Sequence, residues 1–225
     1  MKILKFINSI IKNMIITKQK DINLLLELID NKPVFIVGCS ECATVCHTGG
    51  KDEVLEMKKY LEGKKVQVTG WEILDPACHL LNDKRLLRKH QEEIDKSEKI
   101  IVLACGNGVQ TVAEIINHAD VISGTDSLFL GEIKRANDFE KRCDMCGDCL
   151  LDIFEGFCPI SRCPKHMLNG PCGGSINGKC EIDRELDCVW DIIIKHLKNK
   201  KQLTKLKELQ EPKDWSKSDE MRRFI

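Results

Sequence analysis

Val34-Phe35-Ile36-Val37-Gly38-Cys39-Ser40-Glu41-Cys42 is the stretch on which the fold turns. Its first five residues are continuous, apolar and rich in β-branching, with no polar alternation. A strand of that kind is buried on both faces, as in a parallel sheet covered by helices. An echo follows at Ile100-Ile101-Val102-Leu103-Ala104-Cys105. Between the two, Lys51–Glu62 and Leu80–Lys96 carry helical periodicity and Val66–Trp71 reads as a strand. Beyond them, Val109–His118 returns to helix before a short strand at Val121-Ile122. Upstream, Asp21 is placed to cap a helix ending near Ile29. Strands alternating with helices predict an α/β fold, a small doubly wound and mostly parallel sheet.

In such sheets ligands sit beyond the carboxyl ends of the strands. Cys39 follows the first strand and Cys105 the third. Cys78 follows the second across a short loop containing Pro76. With Cys42 and Cys46, five thiols are expected on one rim. A single buried cysteine is usually a small hydrophobe, but that reading does not account for five together. A four-iron cube takes four thiolates, so one of the five is spare; zinc would also accept the set. His47 and His79 each follow a cysteine and read first as surface or supporting side chains. Gly106-Asn107-Gly108, before a helix, has the free N–H groups of an anion-cradling turn, which makes Gly106 and Gly108 cofactor-binding candidates. The full Gly-x-Gly-x-x-Gly fingerprint is absent because position 111 is Thr, so a tight turn holding Cys105 is the better reading.

Eight of the thirteen cysteines lie between Cys143 and Cys188: Cys143, Cys146, Cys149, Cys158, Cys163, Cys172, Cys180 and Cys188. Two-residue gaps between the first three let one loop aim three sulfurs at a point. The eight suffice for two four-iron clusters or two four-cysteine zinc sites. The gap from Cys149 to Cys158-Pro159 departs from bacterial ferredoxin spacing, and the spacing leaves the pairing open. This stretch is rich in Gly, Pro and Asn and poor in long apolar runs, so it is expected to be irregular and folded by its metal. Residues 185–210 read as a Lys-rich helix with Trp190, Ile193, Ile194 and Leu197 on its apolar side. The polar tail from Glu211 to Ile225 carries Trp215 and Phe224, and reads as a disordered end or an arm for a partner. Residues 1–13 read as an extension helix, 14–140 as the α/β domain and 141–225 as the cysteine-rich module with its helix and tail.

Lys+Arg and Asp+Glu both number 35 and aromatics are 5%, a balance that opposes a nucleic-acid binder. The longest uncharged run outside the N-terminus falls short of the roughly 20 residues of a membrane span. An odd cysteine count without an export signal opposes a disulfide scaffold and favours a cytoplasmic, metal-binding protein.

Asn169-Gly170-Pro171-Cys172-Gly173-Gly174-Ser175, Gly178-Lys179-Cys180-Glu181 and Cys188-Val189-Trp190 resemble the cysteine-rich C-terminal module associated with methylenetetrahydrofolate reductase. Gly38-Cys39 through Cys42-Ala43-Thr44-Val45-Cys46 to Thr48-Gly49-Gly50, with Ala104-Cys105-Gly106 and Gly108-Val109-Gln110-Thr111, are similar to the family's small MetV-type partner subunit. The resemblance spans residues 14 to 220, and family members begin near the equivalent of Met14, which makes the first thirteen residues an extension or a mis-called start. It implies a non-catalytic subunit that carries electrons to, or supports, a separate flavin-containing barrel subunit reducing methylene-tetrahydrofolate. One to three [4Fe-4S] clusters and further electron-transfer subunits would belong to such a complex. The chain is too short to be the barrel itself, which needs about 250 residues. The alternatives are a zinc-stabilised interaction subunit without redox role, and a methyl-transfer accessory using Cys78 or Cys105.

Overall fold

The computed structural model describes residues 14–135 and 137–218. The extension helix expected over 1–13, and Phe224, lie outside the described residues. The chain divides into two compact units, the first running through Phe129 and taking in Arg135–Asn137, the second holding Leu130–Lys134 and the chain from Asp138.

The first unit is an α/β sheet with helices on both faces. Its strands are β2 (Val34–Cys39), β3 (Val68–Leu74), β4 (Lys99–Leu103) and β5 (Asp120–Ser123), all parallel in the order β3-β2-β4-β5. Every residue of β2 is buried, as its unbroken apolar run requires. Alternate side chains serve two cores. Phe35, Val37 and Cys39 face one, with Leu87, Ile94, Val112 and Ile116 from the helices above. Val34 and Ile36 face the other, with Leu25, Ile29, Val54, Met57 and Leu61.

The helices are α1 (Ile22–Ile29), α2 (Cys42–Val45), α3 (Lys51–Gly63), α4 (Leu80–Leu87), α5 (Gln91–Asp95) and α6 (Gly106–Ile115). Asp21 caps α1, its side chain accepting from the N–H groups of Asn23 and Leu24. The helix expected over Leu80–Lys96 is broken by a 3-10 turn at Arg88–His90. Gly106-Asn107-Gly108 is the first turn of α6 rather than a break before it.

Two features were not anticipated. Met14–Gln19 is a strand, β1, and Thr125–Arg135 with Asp138–Cys143 form a hairpin, β6 and β7; β6 bonds β1 on one side and β7 on the other. The turn between β6 and β7 places Asn137 at φ +63°, a left-handed position that Asn tolerates. The charged stretch around Arg135–Lys141 is therefore hairpin, with cross-strand Arg142–Glu132 and Lys134–Glu140 pairs.

The second unit has more core than its composition predicts. Beyond β7 come α7 (Pro159–Arg162) and α8 (Val189–Asn199). Phe154, Cys163, Val189, Trp190, Ile193 and Leu197 pack together. The indole of Trp190 meets Phe154 edge-on at 5.4 Å and donates to the Met167 carbonyl at 2.9 Å. The apolar side of α8 is thus spent on its own unit. The helix also ends at Asn199, short of the expected 210, and continues only as a 3-10 turn at Leu203–Lys207.

Glu155 ties this end of α8 to the loop before α7. Its carboxylate pairs with Lys200 and, at 2.9 Å, with Lys205. Hydrogen bonds from Lys200 and then Lys205 hold it from the ordinary 4.5 down to about 2. A lowered folded-state pKa adds stability above the unfolded value and loses it as the pH falls through the folded one. Glu155→Gln is expected to lower the second unit's melting temperature at pH 7, with the difference shrinking between pH 4.5 and 2. Calorimetry at a series of pH values checks this; a pH-independent difference would contradict the ion-pair account.

Candidate metal centres

The register of the parallel sheet brings the first cysteine set to one rim. Gly38 is level with Leu103, and Cys39 is level with Leu74. Cys39 therefore ends β2 beside the turn where β4 passes through Ala104 into Cys105. The order β3-β2-β4-β5 reverses direction between β2 and β4, and that crevice is the topological switch point where such sheets take their ligands.

The loop from Cys39 to Gly50 folds back onto the same rim. The Cys39 N–H donates to the Gly49 carbonyl at 2.9 Å, and the Thr44 hydroxyl donates to the Cys39 carbonyl at 2.7 Å. Cys42 opens α2, and the Cys46 N–H closes it on the Cys42 carbonyl at 3.0 Å. β1 buttresses the loop: Thr17 and Thr48 share a hydroxyl–hydroxyl hydrogen bond of 2.6 Å, and Gln19 donates to the Thr48 carbonyl at 3.2 Å. Gly49 has to be glycine, because a Cβ there would run into the Leu103 carbonyl.

Two of the five thiols, Cys42 and Cys78, feel the others. Burial pushes the Cys42 thiol up, a backbone hydrogen bond with Ile15 pulls it back, and Cys105, Cys39 and Cys46 push it up again. Burial likewise raises Cys78, with Cys105, Cys39, Cys42 and then the Asp83 carboxylate adding to it. Cys46 turns aside, its Sγ lying 3.8 Å from the Ile15 carbonyl. Its neighbour His47 sits at φ +53° with Nδ1 3.6 Å from Glu53. His79 caps α4, its Nδ1 accepting from the Asn82 N–H at 3.2 Å. The Gly106 N–H donates to Ser127 Oγ at 2.8 Å, and Gly108 lies so close to Ala104 and Ala77 that a Cβ would stand 2.8 and 3.0 Å from theirs. Sequence reading passed over Asp83. Its side chain is fully buried; Oδ2 accepts from the His79 N–H at 3.1 Å, and Oδ1 is without a hydrogen-bond partner.

The second unit sorts its eight cysteines into two hollows. Cys143, Cys146, Cys149 and Cys158 line one, with Arg142, Asp144, Asp148 and Lys213. Cys163, Cys172, Cys180 and Cys188 line the other, with Arg162, Lys165, Glu181 and Asp187. The short helix α7 divides them, since Cys158 is its N-cap and Cys163 its C-cap. Left-handed turns at Met145 (φ +50°) and Gly147 (φ +73°) curl the first three thiols round their hollow. In the other, the Cys180 N–H bonds the Leu186 carbonyl at 2.9 Å and the Cys188 N–H bonds the Gly178 carbonyl at 2.8 Å. Backbone N–H groups already point at three sulfurs: Met145 to Cys143 at 3.2 Å, Ser161 to Cys158 at 3.5 Å and Gly174 to Cys172 at 3.5 Å. Cys172 Sγ lies 3.4 Å from Glu181, which pairs with Lys165. Among the described residues no group of three or more His, Cys, Asp or Glu side chains is gathered closely enough to hold a single metal ion.

Residues 122–216, which include both hollows, match the family model described as methylene-tetrahydrofolate reductase C terminal. No curated protein and no solved structure matches the chain. Among the described residues no helix is long and apolar enough to cross a membrane.

The close approach at Gly49 gives a test of the rim. Gly49→Ala is expected to cost about 1–3 kcal/mol, the usual range for overpacking, and to loosen the Cys42–Cys46 loop. Urea unfolding followed at the first unit should show a lowered midpoint; an unchanged one would mean that the loop does not rest on β4.

Proposed function

We propose that this chain is the iron–sulfur subunit of a methylenetetrahydrofolate reductase-type complex, delivering electrons to a separate flavin-bearing barrel subunit. The observation that carries this reading is the sorting of eight cysteines into two sets of four within the segment that matches the reductase family model. Four thiols round one hollow are the donor set of a four-iron cluster, so the residues present fit the group. Cys143, Cys146, Cys149 and Cys158 would hold one cluster, and Cys163, Cys172, Cys180 and Cys188 a second. Cys39, Cys42, Cys78 and Cys105 would hold a third, leaving Cys46 on the Ile15 carbonyl.

Once bound, such clusters supply reversible one-electron transfer. The chain's own residues set the conditions for it. The N–H groups of Met145, Ser161 and Gly174 donate to sulfur and so stabilise negative charge there. Cys39 and Cys105 are 6% and 8% exposed at the switch point, and Cys78 forms the open side of the site. Reduction of methylene-tetrahydrofolate to the methyl form takes two electrons and two protons, and that chemistry belongs to the flavin partner.

Anaerobic purification of the full chain with iron and sulfide is expected to give a brown protein carrying both elements. Cys146→Ser and Cys180→Ser should each remove one cluster's share of the iron, and their losses should add. Cys78→Ser should remove a third share while Cys46→Ser removes none. A colourless protein holding zinc at the same cysteines would replace this reading with a structural one.

A further inference from the structure

Lys213 is a lysine in a polar tail, yet its side chain is only 5% exposed. It lines the hollow of Cys143, Cys146, Cys149 and Cys158. Its ammonium lies 3.5 Å from Asp148 Oδ2, longer than a good charge-assisted hydrogen bond, and the same oxygen is 3.1 Å from Lys217. Of the other charged groups on this hollow, Arg142 is engaged by Glu132 and Glu140, and Asp144 by Lys141. A buried ammonium sharing one carboxylate with a second lysine is undercompensated, and such burial is costly unless an anion is at hand.

The segment that carries it is held down. Lys217 is 40% exposed, but its backbone carbonyl packs so closely on Gly147 that a Cβ there would stand 2.5 Å from it. Gly147 is also at φ +73°, a conformation that favours glycine. The cysteine loop and the tail are therefore shaped to each other, and the tail carries Lys213 onto the hollow that the four thiols line.

Resting on the iron–sulfur reading, we infer that Lys213 is the counter-charge of the thiolate group formed by Cys143, Cys146, Cys149 and Cys158, and raises the reduction potential of the cluster held there. The tail acts as the clip that delivers it. A positive charge beside a cluster favours its reduced, more negative state, so removing the charge shifts the potential downwards. The hollow of Cys163, Cys172, Cys180 and Cys188 does not include Lys213 and serves as the internal control.

The test is a redox titration of the anaerobically reconstituted full chain, followed by paramagnetic resonance. Lys213→Met should move one cluster's midpoint to more negative values and leave the other in place. Lys217→Met, which removes a more exposed and so better screened charge from the same carboxylate, should shift that midpoint less than Lys213→Met does. Should Lys213→Met lose that cluster outright, Lys213→Arg is expected to retain it, and loss in both variants would overturn the inference. Unchanged midpoints in an iron-loaded Lys213→Met protein would overturn the inference and leave the proposed function standing. A wild-type chain that takes up no iron would overturn both.

Discussion

The level of Gly38 with Leu103 across β2 and β4 is the constraint on which the first unit's site depends. A parallel pair in that register ends its two strands together, so the cysteines that follow them emerge side by side. The remaining pieces are consequences. Thr44 and Gly49 fold the loop back because Cys39 offers both its N–H and its carbonyl at the strand end. β1 meets that loop at Thr48, whose carbonyl accepts from Gln19 and whose hydroxyl bonds Thr17, and buried polar groups are rarely left without such partners. A shift of the register by one residue would turn Phe35, Val37 and Cys39 to the opposite face and exchange the two cores.

The second unit solves the same problem without a sheet end to work from. Its thiols are positioned by turns and caps: left-handed residues round Cys143–Cys149, the two ends of α7, and short backbone pairings that hold Cys180 and Cys188. A packed core of Phe154, Val189, Trp190, Ile193 and Leu197 lies beneath them. That core alters the expectation that metal alone folds this segment. An edge-on aromatic pair and a fully buried α8 face give the unit apolar stabilisation of its own. Trp190, Ile193 and Leu197 are consequently unavailable as anchors for a partner, whereas Trp215 remains 49% exposed.

What could be read from the sequence follows from how strongly burial marks a segment. β2 is buried throughout and β4 is buried beyond Lys99, and both are apolar over those stretches, so both were plain. β6 was not, because Leu128 and Ile133 on it are 52% and 50% exposed and its apolar residues do not track a buried face. β1 is a short mixture of apolar and polar residues, and the site's dependence on it through Ile15 and Thr17 has no local signature. The five rim cysteines were legible as a set, since each follows or neighbours a strand end. That Cys46 turns towards Ile15 was not, because its acceptor lies in the strand that was missed. The division of the other eight falls at α7, whose two ends are capped by Cys158 and Cys163, and spacing alone does not carry that information.

Electrostatics connects the two cysteine-rich hollows to their surroundings. Thiols that become thiolates add negative charge, which donors or cations nearby stabilise. In each hollow backbone N–H groups provide part of the answer, at Cys143 and Cys158 in one and at Cys172 in the other. The charged side chains then differ in kind. Round Cys172 Lys165 pairs with Glu181 and Lys179 with Asp187, while the guanidinium of Arg162 shares Glu140 with Arg142. Round Cys143 the buried ammonium of Lys213 is left with a shared carboxylate. The two hollows thus present the same donor set with different cations beside it, an ammonium at one and a guanidinium at the other.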